Sequence, residues 1–157
     1  MSKTPDAWFA EYDVCHRHPR NKVIHWICVP LIMLSLLALL WLVPVPFATP
    51  NIGLPLNWAT LFIAACLVFY CTLSFTLALG MAVASTMCVL IIQWYASHGP
   101  SELWVAAVFI FVVAWIGQFI GHSIEGRRPA FLQDLLYLLI GPIWILASVY
   151  RRLGIPY

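Results

Sequence analysis

The sequence predicts an all-α protein, a polytopic membrane helical bundle with four to five transmembrane segments in one domain, residues 1–157. Of its 157 residues, 63% are hydrophobic and only 9% are charged, and the mean hydropathy is +0.92. Soluble domains carry roughly 25% charged residues, so this composition excludes a soluble enzyme. The eight basic residues are too few and too scattered for a nucleic-acid-binding surface. The five cysteines include no C-x-x-C pair and predict free thiols.

The N-terminal part predicts a polar segment followed by a first span. Residues 1–22 have mixed charge, and we expect them in the cytoplasm or at the membrane surface. One face of this segment, with Trp8, Phe9 and Tyr12, is expected to lie on the lipid interface. Residues 23–43 are then apolar enough to cross the membrane.

The next two spans are predicted as a hairpin. A loop at residues 44–56 contains four prolines, and residues 57–96 contain no charge at all. One helix of that length would measure about 60 Å, whereas the hydrocarbon core is about 30 Å thick. Two helices, at about 57–73 and 76–95, fit this thickness. The small hydroxylated residues around Ser74 predict the turn between them.

The last part of the chain predicts one clear span and one ambiguous segment. Residues 103–121 form the fourth helix. Residues 131–150 are apolar but contain Gly141-Pro142. We expect this segment to span the membrane. The alternative is a re-entrant hairpin that turns at the glycine and proline, which is tolerated at depth only where protein surrounds it.

The number of spans decides which polar residues meet. With two helices in residues 57–96, the chain returns after its fourth span to the side where it began, here called side A. His122 then emerges beside His16 and His25, whereas His98 lies in a loop on the opposite side. Six of the eight basic residues also fall on side A, which the positive-inside rule assigns to the cytoplasm. We expect a multi-pass protein of a bacterial inner membrane, with the endoplasmic reticulum as the alternative.

A first polar cluster precedes the first span. His16 and His25 are nine residues apart, so on one continuous helix they would face opposite directions. Pro19 provides a break and a suitable first residue for a new helix. Asn21 then lies on the face of His25 and is placed to orient a ring or a substrate. The alternative is an interfacial segment whose polar residues face lipid headgroups.

A second polar cluster ends the fourth helix. Gln118, His122 and Glu125 share one helical face, and such a stripe is costly in an apolar helix unless it is used. Imidazole and carboxylate are ligands of non-haem iron, zinc and copper. The alternative is a helix C-terminus at which His122 complements the dipole and Glu125 pairs with Arg127 or Arg128.

Together the two clusters resemble a small membrane-protein family whose fungal member is a 2-hydroxy fatty acid dioxygenase of the endoplasmic reticulum. The first block of the family pattern corresponds to Tyr12, His16, Pro19, Asn21 and His25. The second corresponds to Trp115, Gln118, Phe119, Gly121, His122, Glu125, Arg127 and Pro129. The resemblance covers the whole chain, although the helices between the blocks match only in hydropathy.

The resemblance implies an activity with Fe(2+) that oxidises a 2-hydroxy long-chain fatty acid with O2 to the acid one carbon shorter, in fatty acid α-oxidation. We expect three metal ligands: His16, His25 and His122. We expect catalytic roles for three further residues: Glu125, Asn21 and Gln118. Glu125 is expected either as an additional ligand or as a hydrogen-bond partner that holds a ligand ring. Three cations are expected to neutralise the substrate carboxylate: Arg127, Arg128 and Lys22.

The sequence leaves several alternatives open. The site would hold two irons if His18 or Glu125 added ligands. Another lipid oxidation, such as hydroxylation or desaturation, would use the same kind of metal site. A haem protein would need axial histidines inside the helices. A non-enzymatic lipid or small-solute transporter or scaffold would carry these histidines for structural reasons, although transport sites usually lie at the membrane midplane.

Overall fold

The computed structural model describes residues 3–46, 56–129 and 135–157, and within them every regular element is a helix. The helices are α1 (Pro5–Asp13), α2 (Pro19–Leu42), α3 (Trp58–Leu73), α4 (Phe75–His98), α5 (Leu103–Glu125) and α6 (Tyr137–Leu153). Three of them, α2, α4 and α5, are long and apolar enough to cross a membrane, and α3 is a shorter apolar helix. The all-α membrane bundle is therefore confirmed. Most of the predicted loop at 44–56 lies outside the described residues, and so do residues 131–134 of the fifth segment.

The predicted hairpin between α3 and α4 is present, and a single residue makes its turn. Ser74 has extended backbone angles (φ −162°, ψ 129°), so it ends α3 and precedes α4. Its N–H donates to the Tyr70 carbonyl at 2.9 Å, and its Oγ accepts from the Leu77 N–H at 3.3 Å. One serine thus satisfies backbone groups of both helices. Because this hairpin exists, α5 ends at the same end of the bundle where α2 begins.

Helices α2 and α5 pack closely together, and two glycines of α5 allow this approach. A Cβ on Gly117 would come within 2.6 Å of the Cys28 sulfur, and one on Gly121 would overlap the Asn21 Oδ1. Small residues four apart permit this kind of close helix contact in membranes. The approach brings the last turn of α5, with its histidine, against the first turns of α2.

The structure corrects the expectation that the aromatic face of α1 lies on the lipid interface. Phe9 and Tyr12 are buried, and they belong to the same apolar core as α6. Tyr12 packs on Trp144, with ring centroids 5.4 Å apart. The aromatic face covers protein rather than lipid because α6 returns to this end of the bundle. Nothing within residues 1–22 indicates that partner, which follows more than 100 residues later.

Helix α6 differs from both expectations for the fifth segment. It continues through Gly141-Pro142 without the turn that a re-entrant hairpin requires. Its Leu139 carbonyl accepts from the Tyr70 hydroxyl at 2.8 Å, and its Tyr150 hydroxyl donates to the Thr76 carbonyl at 3.4 Å. Those two positions on α6 are about 16 Å apart along the helix, yet both partners flank the α3–α4 turn. Helix α6 therefore lies across the side-A end of the bundle.

This position of α6 changes the distribution of charge. Arg151 and Arg152 end α6 beside the first turns of α2, since the Arg152 guanidinium lies 4.9 Å from the Trp26 ring centroid. All eight basic residues consequently belong to side A, rather than the six counted from sequence. The five cysteines are free thiols, as predicted.

Candidate metal centre

Three segments bring three histidines to one point. His16 lies in the short turn between α1 and α2, His25 in the second turn of α2, and His122 in the last turn of α5. Pro19 is the first residue of α2, as predicted, and His18 before it has extended backbone angles (φ −70°, ψ 128°). This break in the helix turns His16 back toward His25. His122 reaches the same point for two reasons. The α3–α4 hairpin makes α5 end at this end of the bundle, and the contact between α2 and α5 places its last turn beside His25.

The three imidazoles form a buried cluster. Ring centroids are 4.3 Å apart for His16 and His25, 5.0 Å for His16 and His122, and 4.8 Å for His25 and His122. One nitrogen from each ring lies within 4.8 Å of the other two. The side chains are only 0%, 1% and 5% exposed, respectively. Among the described residues, this is the one group of three or more His, Cys, Asp or Glu side chains whose ligand atoms lie close enough together to hold a metal ion.

Hydrogen bonds leave ring nitrogens available to a metal. The Nδ1–H of His16 donates to the Tyr12 carbonyl at 2.6 Å, and that of His25 donates to the Asn21 carbonyl at 3.0 Å. Because a carbonyl only accepts, each ring carries its proton on Nδ1 and a lone pair on Nε2. The His16 Nε2 and the His122 Nδ1 are buried without a hydrogen-bond partner. Buried polar atoms are normally paired, so these orphaned nitrogens fit a metal ion.

The surroundings also favour the metal-binding form of His16. Its ring stacks on Tyr12 at 4.0 Å and 17°, and lies 5.6 Å from the Trp144 ring. Burial among these rings lowers the pKa of His16. The ring is therefore neutral at pH 7, which is the protonation state that binds metals. Tyr12 belonged to the first sequence block, whereas no sequence signal pointed to Trp144.

Glu125 occupies neither of the two roles expected for it. Its carboxylate accepts from the backbone N–H of Arg17 at 2.9 Å, from that of His18 at 2.8 Å and from Asn21 Nδ2 at 3.1 Å. It is thus hydrogen-bonded to the α1–α2 turn rather than to a histidine ring, and it is absent from the histidine cluster. Pairing with Arg127 or Arg128 does not occur either.

Asn21 connects the same network to the turn that carries His16. Its Nδ2 donates to the Cys15 carbonyl at 3.0 Å as well as to Glu125. Its own carbonyl accepts from the His25 ring. Asn21 and Glu125 therefore position the two N-terminal histidines. The sequence placed Asn21 on the face of His25 but did not indicate that the free amides of residues 17 and 18 require an acceptor.

The histidines lie at one end of an apolar cavity of about 570 Å³. The cavity extends along α2 from His25 to Leu37, about 18 Å, and its volume is typical of small-molecule sites. Its few polar lining groups include Tyr12, Ser85 and Gln118. Gln118 thus lines the same cavity as the histidines, one helical turn before His122.

The remaining residues named from sequence lie elsewhere. Lys22, Arg127 and Arg128 do not line the cavity, and the two arginines are exposed. His18 caps α2 and does not join the cluster, since its Nδ1 accepts from the Arg20 N–H at 3.2 Å. His98 is exposed at the end of α4, far from the cluster, as expected.

Comparisons with known proteins show the family of the chain. The model of the family described as "2-hydroxy-palmitic acid dioxygenase Mpo1-like" matches residues 2–153. The chain is 30% identical over 145 residues to the 2-hydroxy-palmitic acid dioxygenase MPO1 of Saccharomyces cerevisiae. The aligned region covers 91% of this chain and 78% of the yeast protein. No solved structure matches the chain.

Proposed function

Because the chain belongs to the 2-hydroxy-palmitic acid dioxygenase Mpo1-like family, we propose that it is a membrane dioxygenase dependent on Fe(2+). It converts a 2-hydroxy fatty acid and O2 to the fatty acid one carbon shorter, with carbon dioxide and water as the other products. The observation that carries this proposal is the buried cluster of three histidines, with orphaned nitrogens, at the end of a long apolar cavity.

The donor set supports a transition-metal site but does not select the metal. Three neutral imidazoles suit iron, copper and zinc. The relative's name as a dioxygenase favours iron over zinc, because zinc has no redox chemistry. When bound, iron(II) supplies the reaction with O2. A mononuclear site is proposed, since three histidines converge and Glu125 is occupied by the α1–α2 turn.

The chain's own residues bind and orient the substrate. The acyl chain lies in the apolar cavity, which also excludes water, and the carboxylate and 2-hydroxyl lie at the histidine end. Gln118, one helical turn before His122, and Tyr12, stacked on His16, both line the cavity, and we assign to them the hydrogen bonds to those oxygens. The three cations named from sequence are not used for the substrate. All eight basic residues support the orientation of side A, with the site, toward the cytoplasm, and we propose a bacterial inner membrane as its location.

The test combines metal content with product mass. Protein purified in detergent and loaded anaerobically with Fe(II) is compared with His122→Ala, and with His98→Ala as a matched control because His98 is exposed and distant. We expect about one iron per chain in wild type and control and none in His122→Ala. Turnover of 2-hydroxypalmitate is expected to release the acid one carbon shorter.

Other outcomes separate the competing functions. A product of unchanged chain length would indicate a hydroxylase or desaturase instead. Two irons per chain would contradict the mononuclear site. Absence of bound metal in wild type would favour a lipid transporter or scaffold and would overturn the proposal.

A further inference from the structure

A second concave site lies on the side-A surface, separated from the histidine cavity by Trp144. Trp144 contacts the His16 ring at 5.6 Å and also lines this second site. The site has a volume of about 360 Å³. It is lined by residues from α1, α2 and α6: Asp13, Lys22, Trp26, Trp144, Ser148, Arg151 and Arg152. None of the proposed metal or substrate residues takes part in it.

Three cations converge in this site without a carboxylate partner. Lys22 comes from the start of α2, whereas Arg151 and Arg152 come from the end of α6. In the part of the chain that the structure describes, the sole ion pair is the one between Lys3 and Glu11. None of these three cations therefore forms an ion pair within the described residues, although the fold gathers them from two distant segments.

The two arginines are nevertheless held in place. Arg151 donates through Nη1 to the Tyr157 hydroxyl at 2.7 Å and through Nη2 to Ser148 Oγ at 3.1 Å. Arg152 lies 4.9 Å above the Trp26 ring, where a cation–π interaction orients it. Fixed guanidinium groups cost less entropy when they bind an anion than mobile ones do.

The one carboxylate of the site leaves an excess of positive charge. Asp13 accepts from Trp144 Nε1 at 3.1 Å through Oδ1. Three cations and one anion give a net charge of 3 − 1 = +2. Charges of one sign in a concave surface repel each other and raise the local concentration of counter-ions. The arrangement thus favours an anion, and Asp13 remains to accept a hydrogen bond from a hydroxyl of the same ligand.

We propose that this pocket binds the phosphate group of an anionic membrane lipid headgroup. Arginine forks match phosphate oxygens, and basic pockets between helices on the cytoplasmic side are a common form of lipid headgroup site. The two indoles in the wall are also typical of the headgroup level. The bound phosphate connects the end of α6 to the start of α2, and so holds Trp144 against the His16 ring.

The experiment measures lipid binding to metal-free protein, so its result is independent of the proposed enzymatic function. Native mass spectrometry of the detergent-solubilised full chain compares phosphatidylglycerol, phosphatidylcholine and inorganic phosphate as probes. The test variants are Lys22→Gln, Arg152→Gln and their combination. The matched control is Arg20→Gln, since Arg20 is exposed on the first turn of α2 and lines neither cavity.

We expect phosphatidylglycerol to bind in preference to phosphatidylcholine, with affinity about thirtyfold weaker in the double variant and unchanged in Arg20→Gln. If the double variant does not fold, Arg152→Lys provides the second comparison, and partial retention of binding is expected because the charge remains. Equal binding of the two lipids, or equal loss in Arg20→Gln, would overturn the proposal. Inorganic phosphate that displaces the lipid at equal concentration would show that free phosphate is the ligand and would overturn the assignment to a lipid.

Discussion

Replacement of Glu125 by glutamine tests whether this residue positions the metal site without touching the metal. The carboxylate accepts three hydrogen bonds, one through Oε1 from the Arg17 N–H and two through Oε2 from His18 and Asn21. A glutamine side chain has the same shape but one acceptor oxygen. With that oxygen in the Oε2 position, its amide N–H groups face the Arg17 N–H, and at least one hydrogen bond is lost.

The size of the effect follows from these bonds. A hydrogen bond to a charged group is worth about 1.5–3 kcal/mol. Since Glu125 is half-exposed, water replaces part of the lost hydrogen bonding. We therefore expect the free energy that favours the ordered α1–α2 turn to fall by about 2 kcal/mol. The turn carries His16, so metal affinity falls. Loss of a group that orients ligands typically lowers metal affinity about 10–100-fold.

The assay is an anaerobic Fe(II) titration of purified Glu125→Gln, with Glu102→Gln as the control. Glu102 precedes the same helix at its other end, is exposed and makes no capping hydrogen bond through its side chain. We expect Glu125→Gln to have a larger dissociation constant for Fe(II) than the wild type. The iron stoichiometry at saturation and the number of nitrogen ligands seen by X-ray absorption should be unchanged. Wild-type affinity in Glu125→Gln would refute the positioning role. A change in the ligand set at saturation would show that Glu125 is a ligand.

Three further predictions follow from burial and packing. Gly121→Ala should lower the melting temperature and the iron content relative to Ser123→Ala, because its Cβ would overlap a side chain of α2; equal melting temperatures would contradict this. Burial lowers the pKa of His16 in the folded protein. As the pH falls, His16 is therefore protonated at a higher pH in the unfolded state than in the folded state, and metal-free protein should lose stability below about pH 6.5. A melting temperature constant from pH 8 to 5 would exclude this. Ser85→Phe should shift turnover toward shorter 2-hydroxy acids, whereas Thr86→Phe, on the exposed face, should not.

The hairpin in residues 57–96 and the meeting of the three histidines could be predicted from the sequence alone. An uncharged stretch of forty residues is too long for one span, so it must turn, and the turn occurs at Ser74. Because four spans, an even number, then precede His122, the chain returns it to the side of His16 and His25. The helix break at Pro19 is likewise local, because proline fixes its own φ and removes a donor. Such features depend on covalent geometry and on bilayer thickness, both of which act on short segments.

The surroundings of the site, in contrast, depend on contacts between segments that are distant in the sequence. Hydropathy does not tell a helix that crosses the membrane from α6, which lies across the end of the bundle, because both bury apolar side chains. The burial of Tyr12 and the gathering of Lys22 with Arg152 depend on that placement, and the hydrogen bonds of Glu125 depend on the contact between α2 and α5. Each joins segments more than 100 residues apart, and the energy of such contacts comes from packing and desolvation, which no local pattern of residues records.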